Sequence, residues 1–428
     1  MSPIGNIYIM LALSFCNLLS CQRVITDIPQ SEWVLNMGEY RTYEIYTCDV
    51  AKGQADQIVY AGGYNGNMVD SQNRVVFPVY GYNKQIAILT VNDSGVIIDR
   101  ISIGNPDSEL YFHSVETDLD GNIYISGHFS NYIDFNPSGN SIRLTTDNID
   151  GFLCKFNKEF DCLWAIQSFV FSNFTVAGEG DVYAIIDDFD TGGNKFKLME
   201  VSKDGDIGWV AEAAYGAEFT DIHVTHDGRI LVIGETSNGS SRIFQDINEH
   251  ECPETNSPEY QVESNERSFL MEIDGAGNCM NILWIPDGAR SIDSDSENIC
   301  VAGANYILLT DKELATIWIR DWSSMSEFRI NDVILASSGK VYATGMFDDI
   351  LDFDPGLYVD YRESVRNNGG FIIGLNEVGD YLGSNIWNDT TFFYDKGNNV
   401  LEGNAGDIYV AGNLSGINIL AKLSENEL

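Results

Sequence analysis

Short β-branched and aromatic runs, alternating apolar with polar positions, recur along the whole chain between Gly, Asn and Asp turns, which is the pattern of β-strands. One phrase is written seven times: a turn, a polar residue, Ile/Val-Tyr-x-x-Gly. It runs from Gln57 to Gly63 and from Gly121 to Gly127, and later copies start at Gly180, Gly228, Glu297, Gly339 and Gly406. An array of one supersecondary unit reads as a solenoid or a propeller. The second copy shows the unit best. Phe112–Asp118 alternates, Asn122–Phe129 returns, and Gly151–Phe156 and Asp161–Gln167 make a hairpin across Asn157-Lys158-Glu159-Phe160. Four strands per unit in a ring is a propeller blade.

The fourth strand carries its own mark, a tryptophan: Trp164, Trp209, Trp284, Trp318 and Trp387 in blades 2 to 6. Blade 1 uses Val96–Ile103 instead. Blade 7 runs through Asp407–Leu414 and Ile417–Leu423 and then lacks a fourth strand. Glu32–Gly38, which holds Trp33, is the strand expected to complete it and shut the ring. Closure removes a sheet edge open to aggregation. The fold class expected is therefore all-β: a seven-bladed β-propeller of four-stranded antiparallel blades over residues 32–428.

These residues carry a resemblance. The run from Asp118 to Ala165, with Asp-Gly-Asn-Ile-Tyr, then Asp134-Phe135-Asn136-Pro137-Ser138-Gly139, then Leu153-Cys154-Lys155-Phe156 before Trp164, resembles the seven-bladed β-propeller repeat (SBBP-type) of exported bacterial proteins. Blades 2, 6 and 7 match it well, while blade 3 has Ile186 for Gly and blade 5 has Glu297 for the turn Gly. The resemblance implies the fold and an exported location, and it brings no catalytic set.

Composition narrows the partners. With 64 acidic and 24 basic residues the net charge is −40. Nucleic acid is excluded as a natural partner, because phosphate binding needs clustered Lys and Arg. At 428 residues the chain outgrows one ordinary core, which stops growing near ~250–300 residues; a repeat array avoids that limit.

Residues 7–19 form an apolar run too short to span a bilayer, ending in Leu18-Leu19-Ser20-Cys21. This looks like a lipoprotein signal peptide over 1–20, with Cys21 lipidated and 21–31 a tether, although no Lys or Arg precedes Arg23. The expected location is the bacterial cell envelope, lipid-anchored, with the outer membrane touched through the anchor only. The chain is expected to be monomeric. An exported compartment permits disulfides, and Cys154 with Cys162, flanking a hairpin turn, is the expected pair; Cys300 reads as a buried free thiol.

Strand order puts every long insertion on one face: Tyr64–Lys84, Ser130–Asp150, Thr236–Arg267 and Asp348–Gly369. Both chain ends fall on the other. Long loops on a rigid scaffold are where binding tends to live. The aromatics there form the candidate ligand-binding face: Phe129, Tyr132, Phe135, Phe347, Phe353, Tyr358, Tyr361, Phe392, Phe393 and Tyr394. Asp134, Asp352 and Asp354 are the weak candidates for Ca²⁺, against a reading as turn-capping carboxylates. Asp293–Glu297 likewise reads as a turn. The histidines, among them His113, His128 and His223, read as structural. No nucleophile elbow, phosphate loop or zinc helix motif is present. The function expected is a non-catalytic binding or scaffold module for a protein or glycan ligand on the long-loop face, with no cofactor. The alternative is a propeller lyase or hydrolase using carboxylates near the central channel.

Overall fold

The computed structural model describes residues 31–39, 47–64, 68–69, 75–77, 84–105, 107–136, 140–188, 195–214, 216–236, 267–322, 328–365, 369–388, 395–414 and 416–423. Seven four-stranded antiparallel sheets follow one another along the chain. Their first strands are Cys48–Lys52, Leu110–Thr117, Val170–Val176, Ala217–Val224, Ala289–Ser294, Phe328–Leu335 and Lys396–Glu402. These seven strands wall the central channel, and each blade's fourth strand lies outermost. Hydrophobic cores form between neighbouring blades. Ile86 and Ile88 of blade 1, for example, pack with Phe112, Ile125 and Phe152 of blade 2.

The ring closes as expected. Ser31–Glu39 pairs antiparallel with Ile417–Leu423, placing Trp33 opposite Lys422 and Leu35 opposite Leu420. A buried cation fixes this join. Lys422 Nζ lies 3.1 Å from Glu32, 2.6 Å from Asp93 and 3.0 Å from Asp407, so its carboxylates come from the first-met strand, blade 1 and blade 7. The predicted signal, Cys21 and the tether up to residue 30 lie outside the described residues.

The repeated phrase has a structural cause at both ends. In blade 2, Asp118 accepts the Asn122 amide, the Tyr124 hydroxyl and the Lys155 ammonium, so the turn, the tyrosine and the third-strand lysine form one network. At the other end, the first strands of blades 2 to 7 each carry a β-bulge, at His113, Ser172, Thr220, Arg290, Asn331 and Asn398. A bulge swings a carbonyl out of the ladder. A Cβ on Gly127 would lie 2.1 Å from the Tyr111 oxygen, and one on Gly345 would lie 2.0 Å from the Arg329 oxygen. Only glycine fits. Ile186 holds this place in blade 3, and nothing in the structure explains it.

Two expectations are corrected. Ser130–Asp150 is not a loop: the second and third strands of blade 2 extend to Asp134 and from Arg143, pairing Ile133 with Leu144 before a bulge at Thr145–Ile149. Blades 1 and 6 build similar small ribbons, Met68–Val69 with Val75–Phe77 and Ile350–Asp352 with Tyr361–Glu363. Cys154 and Cys162 are both buried free thiols. The hairpin register sets Cys154 opposite Ala165 and Cys162 opposite Phe156, so the two do not face each other across the strands. Cys300 is a buried free thiol, as expected. Cys279 is disulfide-bonded; the other described cysteines are free, so its partner lies outside the described residues.

Candidate functional site in the central channel

Among the described residues, most of the long-loop aromatics are buried or half-buried and not displayed on a face. Phe129, Phe135, Phe347 and Phe353 are 0% exposed. Phe135 packs against Phe152 at 5.1 Å between ring centroids, and Phe353 against Phe347 at 4.9 Å and Phe371 at 5.4 Å. In both Asp-Phe-x-Pro turns the phenylalanine folds back as a plug over the end of its own blade. The flanking carboxylates hold the turns: Asp134 accepts from Asn136 N and Ser141 Oγ, Asp352 from Asp354 N and Asp360 N, and Asp354 from Gly356 N. Asp295 does the same for Glu297 N and Asn298 N. Tyr132 is half-buried under Arg143, 3.8 Å from the ring centroid. Tyr358 and Tyr361 alone remain exposed among the described candidates, at 82% and 66%. Phe392, Phe393 and Tyr394 lie outside the described residues, as does most of the Thr236–Arg267 insertion.

The polar groups converge elsewhere. A cavity of about 940 Å³ occupies the channel, at the upper end of the ~300–1,000 Å³ common for ligand pockets. Its wall includes Asp49, Ser114, Glu116, Asn173, Asp221, His223, Arg290, Asp293, Asn331, Asp332 and Asn399. It reaches the turns at Gly53–Ala55, Leu119 and Asn404, on the face opposite the long insertions.

Three of these acids hold the ring together. Asp49 accepts from Ser114 Oγ and Val115 N of the next blade at 2.8 and 2.9 Å. Asp221 receives the Asn173 amide from blade 3 and the Ile292 N–H of blade 5. Asp332 takes the Ser291 hydroxyl of blade 5 and the Val400 N–H of blade 7. Asp221 and Asp332 each directly follow the bulged residue of their strand, Thr220 and Asn331, whereas Asp49 spans its boundary from an unbulged strand. Asp293 adds another such link to Leu335 N at 2.7 Å.

Burial raises four of the carboxyls that wall the cavity. It lifts Asp49 to about 6 and Asp332 to about 7, against hydrogen bonds that favour their charged forms. Asp221 rises to about 8 for the same reason. Glu116 also reaches about 8, through burial and then the charges of Asp49, Asp221 and Asp293. Glu116 differs in having only the adjacent Thr117 amide as a hydrogen-bond donor. It takes no part in the belt and is free to meet a ligand. His223 lies across a blade boundary, 3.0 Å from Ser294 Oγ and 3.7 Å from Asp293, and burial lowers its pKa. His113 and His128 share a hydrogen bond of 2.9 Å near the long-loop end, with Tyr111 stacked on His128. His113, His128 and His223 thus each have a structural partner.

An all-β ring of seven blades around a carboxyl-lined channel defines a β-propeller. No family model matches the chain, and no curated protein matches it in sequence. Solved propellers do match in shape. Raptor from Chaetomium thermophilum is similar over 91% of this chain and 29% of its own, at 10% identity and a TM-score of 0.51. Virginiamycin B lyase from Staphylococcus aureus covers 91% of this chain and 98% of its own, at 11% identity and a TM-score of 0.47. A gluconolactonase from Xanthomonas campestris covers 94% and 96%, at 8% identity and a TM-score of 0.39. At these identities the likeness shows the fold alone.

Proposed function

We propose that this protein is an exported, lipid-anchored, non-catalytic binding module whose ligand enters the central channel. The Leu18-Leu19-Ser20-Cys21 sequence and the resemblance of its blades to an exported repeat support the location. One observation carries the binding site: side chains from every blade converge on a single cavity in which Glu116 has no structural partner across a blade boundary. The ligand that suits this wall is polyhydroxylated, such as a short glycan segment. Carboxyls that hold a proton near neutral pH both donate and accept, and Asn173, Asn399, Ser114 and Thr117 do the same for hydroxyl groups. If Cys21 is anchored, Ser31 enters the ring on the face the cavity reaches, which turns that mouth toward the membrane.

Screening the protein and its Glu116→Gln variant against an array of short glycans tests this reading. A hit whose affinity falls at least tenfold in the variant supports it. A hit unaffected by the variant but lost with Tyr358→Ala and Tyr361→Ala contradicts it.

A second reading rests on the same residue. A carboxyl poised near neutrality in a cavity is suited to general acid catalysis, and would serve a hydrolase or lyase. Turnover of glycoside or lactone substrates that disappears in Glu116→Gln would favour it over binding alone.

A further inference from the structure

The end of the channel nearest the long insertions gathers cations, in a chain of net charge −40. Arg290 is the bulged residue of the first strand of blade 5. Arg329 stands two residues before the bulged Asn331 in blade 6, and Lys396 two before the bulged Asn398 in blade 7. Three adjacent inner strands therefore each carry a cation near the end where they enter the ring, Arg290 two register positions deeper than Arg329 and Lys396.

Among the described residues, none of these three has an ion pair or a hydrogen-bonded partner for its charged group. Several cations elsewhere are matched: Lys155 with Asp118, Lys197 with Asp188, Lys312 with Glu297, Arg362 with Asp360 and Lys422 with three carboxylates. Arg290 lines the cavity and its Nε is buried without a partner. Arg329 is exposed and Lys396 half-buried. Burial, then repulsion from Arg329, lowers the pKa of Arg290 against the pull of Glu235, and burial lowers Lys396, with Cys48 opposing and Arg329 adding to it. Unpaired neighbouring cations partly withdrawn from water are costly unless an anion joins them. Glu218 and Glu235 lie opposite each other on the neighbouring blade 4, and the charge of Glu235 partly offsets the lowering of Arg290.

We propose that Arg290, Arg329 and Lys396 form an anion-binding collar that takes a carboxylate or phosphate group of the channel ligand. For the remainder of that ligand the proposal rests on the channel reading above; the collar itself does not. A guanidinium fork matches the paired oxygens of either group, and Lys396 supplies a point charge. The carboxyls farther down the channel repel an anion and accept hydroxyls, so an acidic sugar would be held in one direction, acid end toward the long insertions.

Inorganic phosphate, D-glucuronate and D-glucose, titrated by calorimetry and thermal shift at constant ionic strength set with NaCl, test the collar. Phosphate and glucuronate are expected to bind saturably. Glucuronate should exceed glucose by at least tenfold, and the advantage should vanish in the double variant Arg329→Gln with Lys396→Gln. Both residues lie at the mouth, and circular dichroism checks the fold; Arg329→Lys with Lys396→Arg should restore binding in part. The collar is overturned if neither anion binds saturably, or if the double variant binds them as wild type does. The two proposals fail separately. Loss of anion binding with neutral glycans still bound leaves the channel and removes the collar. Phosphate bound normally, with glycan binding indifferent to Glu116→Gln, leaves the collar and removes the channel reading.

Discussion

The indole N–H of Trp33 donates to the Asp93 carbonyl at 2.8 Å, and its ring covers Gly95, where an added Cβ would come within 2.8 Å of Trp33 Cδ2. Trp33 is in the strand that completes blade 7, and Gly95 is in the third-to-fourth-strand turn of blade 1. The same latch joins Trp164 to Lys203 O and Gly205, Trp209 to Gly275 O and Gly277, and Trp318 to Glu377 O and Gly379. Each of these glycines has a positive φ. Where a turn lacks glycine, Phe160 and Leu314 take the left-handed position at φ 63° and 67°. The turn before Phe160 faces blade 1, which has no fourth-strand tryptophan.

Removing the latch should open the ring at its join. Trp33→Ala is expected to lower unfolding stability by about 2–4 kcal/mol, as for a large side chain lost from a packed contact. Gly95→Ala should cost about 1–3 kcal/mol, through the φ of 76° and the clash with the ring. Urea denaturation of both single variants and the double should show non-additive losses, because the two changes break one contact.

The channel acids make stability fall as pH rises. A carboxyl whose folded pKa is raised favours folding at pH below its unfolded value of ~4, and that contribution is lost as pH climbs through the folded value. Asp49 at about 6, Asp332 at about 7, and Asp221 and Glu116 at about 8 place the loss between about pH 4 and 8. The urea midpoint should therefore be lower at pH 9 than at pH 6. Glu116→Gln should reduce that difference and stabilise the protein at pH 9 by about 1–3 kcal/mol.

Phe353→Ala should destabilise by about 3–5 kcal/mol, since it empties a core site, whereas Tyr358→Ala on the exposed tip should change stability by no more than ~0.5 kcal/mol. Thermal unfolding of the two variants side by side checks this.

Thiol chemistry should follow burial. Cys48, Cys154, Cys162 and Cys300 are expected to resist a maleimide in the native protein and to react after unfolding, with peptide mapping as the readout. A Cys154–Cys162 disulfide recovered by mapping under non-reducing conditions would contradict the structure.

The blades, their number and the closing role of Trp33 were legible in the chain because each rests on local alternation and a repeated turn. The tryptophan mark was visible too, but its purpose needed the neighbouring blade's glycine. The bulges at Arg290 and Asn331, and the belt through Asp221 and Asp332, were not legible, since both depend on how one blade meets the next. Phe135 and Phe353 misled for a related reason. Their place in an insertion is written in the sequence, whereas the direction of a side chain that folds back under its own turn is not. The cationic collar stayed hidden because Arg290, Arg329 and Lys396 are far apart along the chain and adjacent only around the ring.

Hydrogen exchange measured with and without a bound glycan from the array tests the account most directly, because it reports where the ligand sits. Protection is predicted at the channel-mouth turns 52–55 and 117–119 and around Asn404, with the ribbon from Ile350 to Glu363 unchanged. Protection confined to that ribbon, with the channel turns exchanging as in the free protein, would contradict a channel site and return the function to the long-loop face.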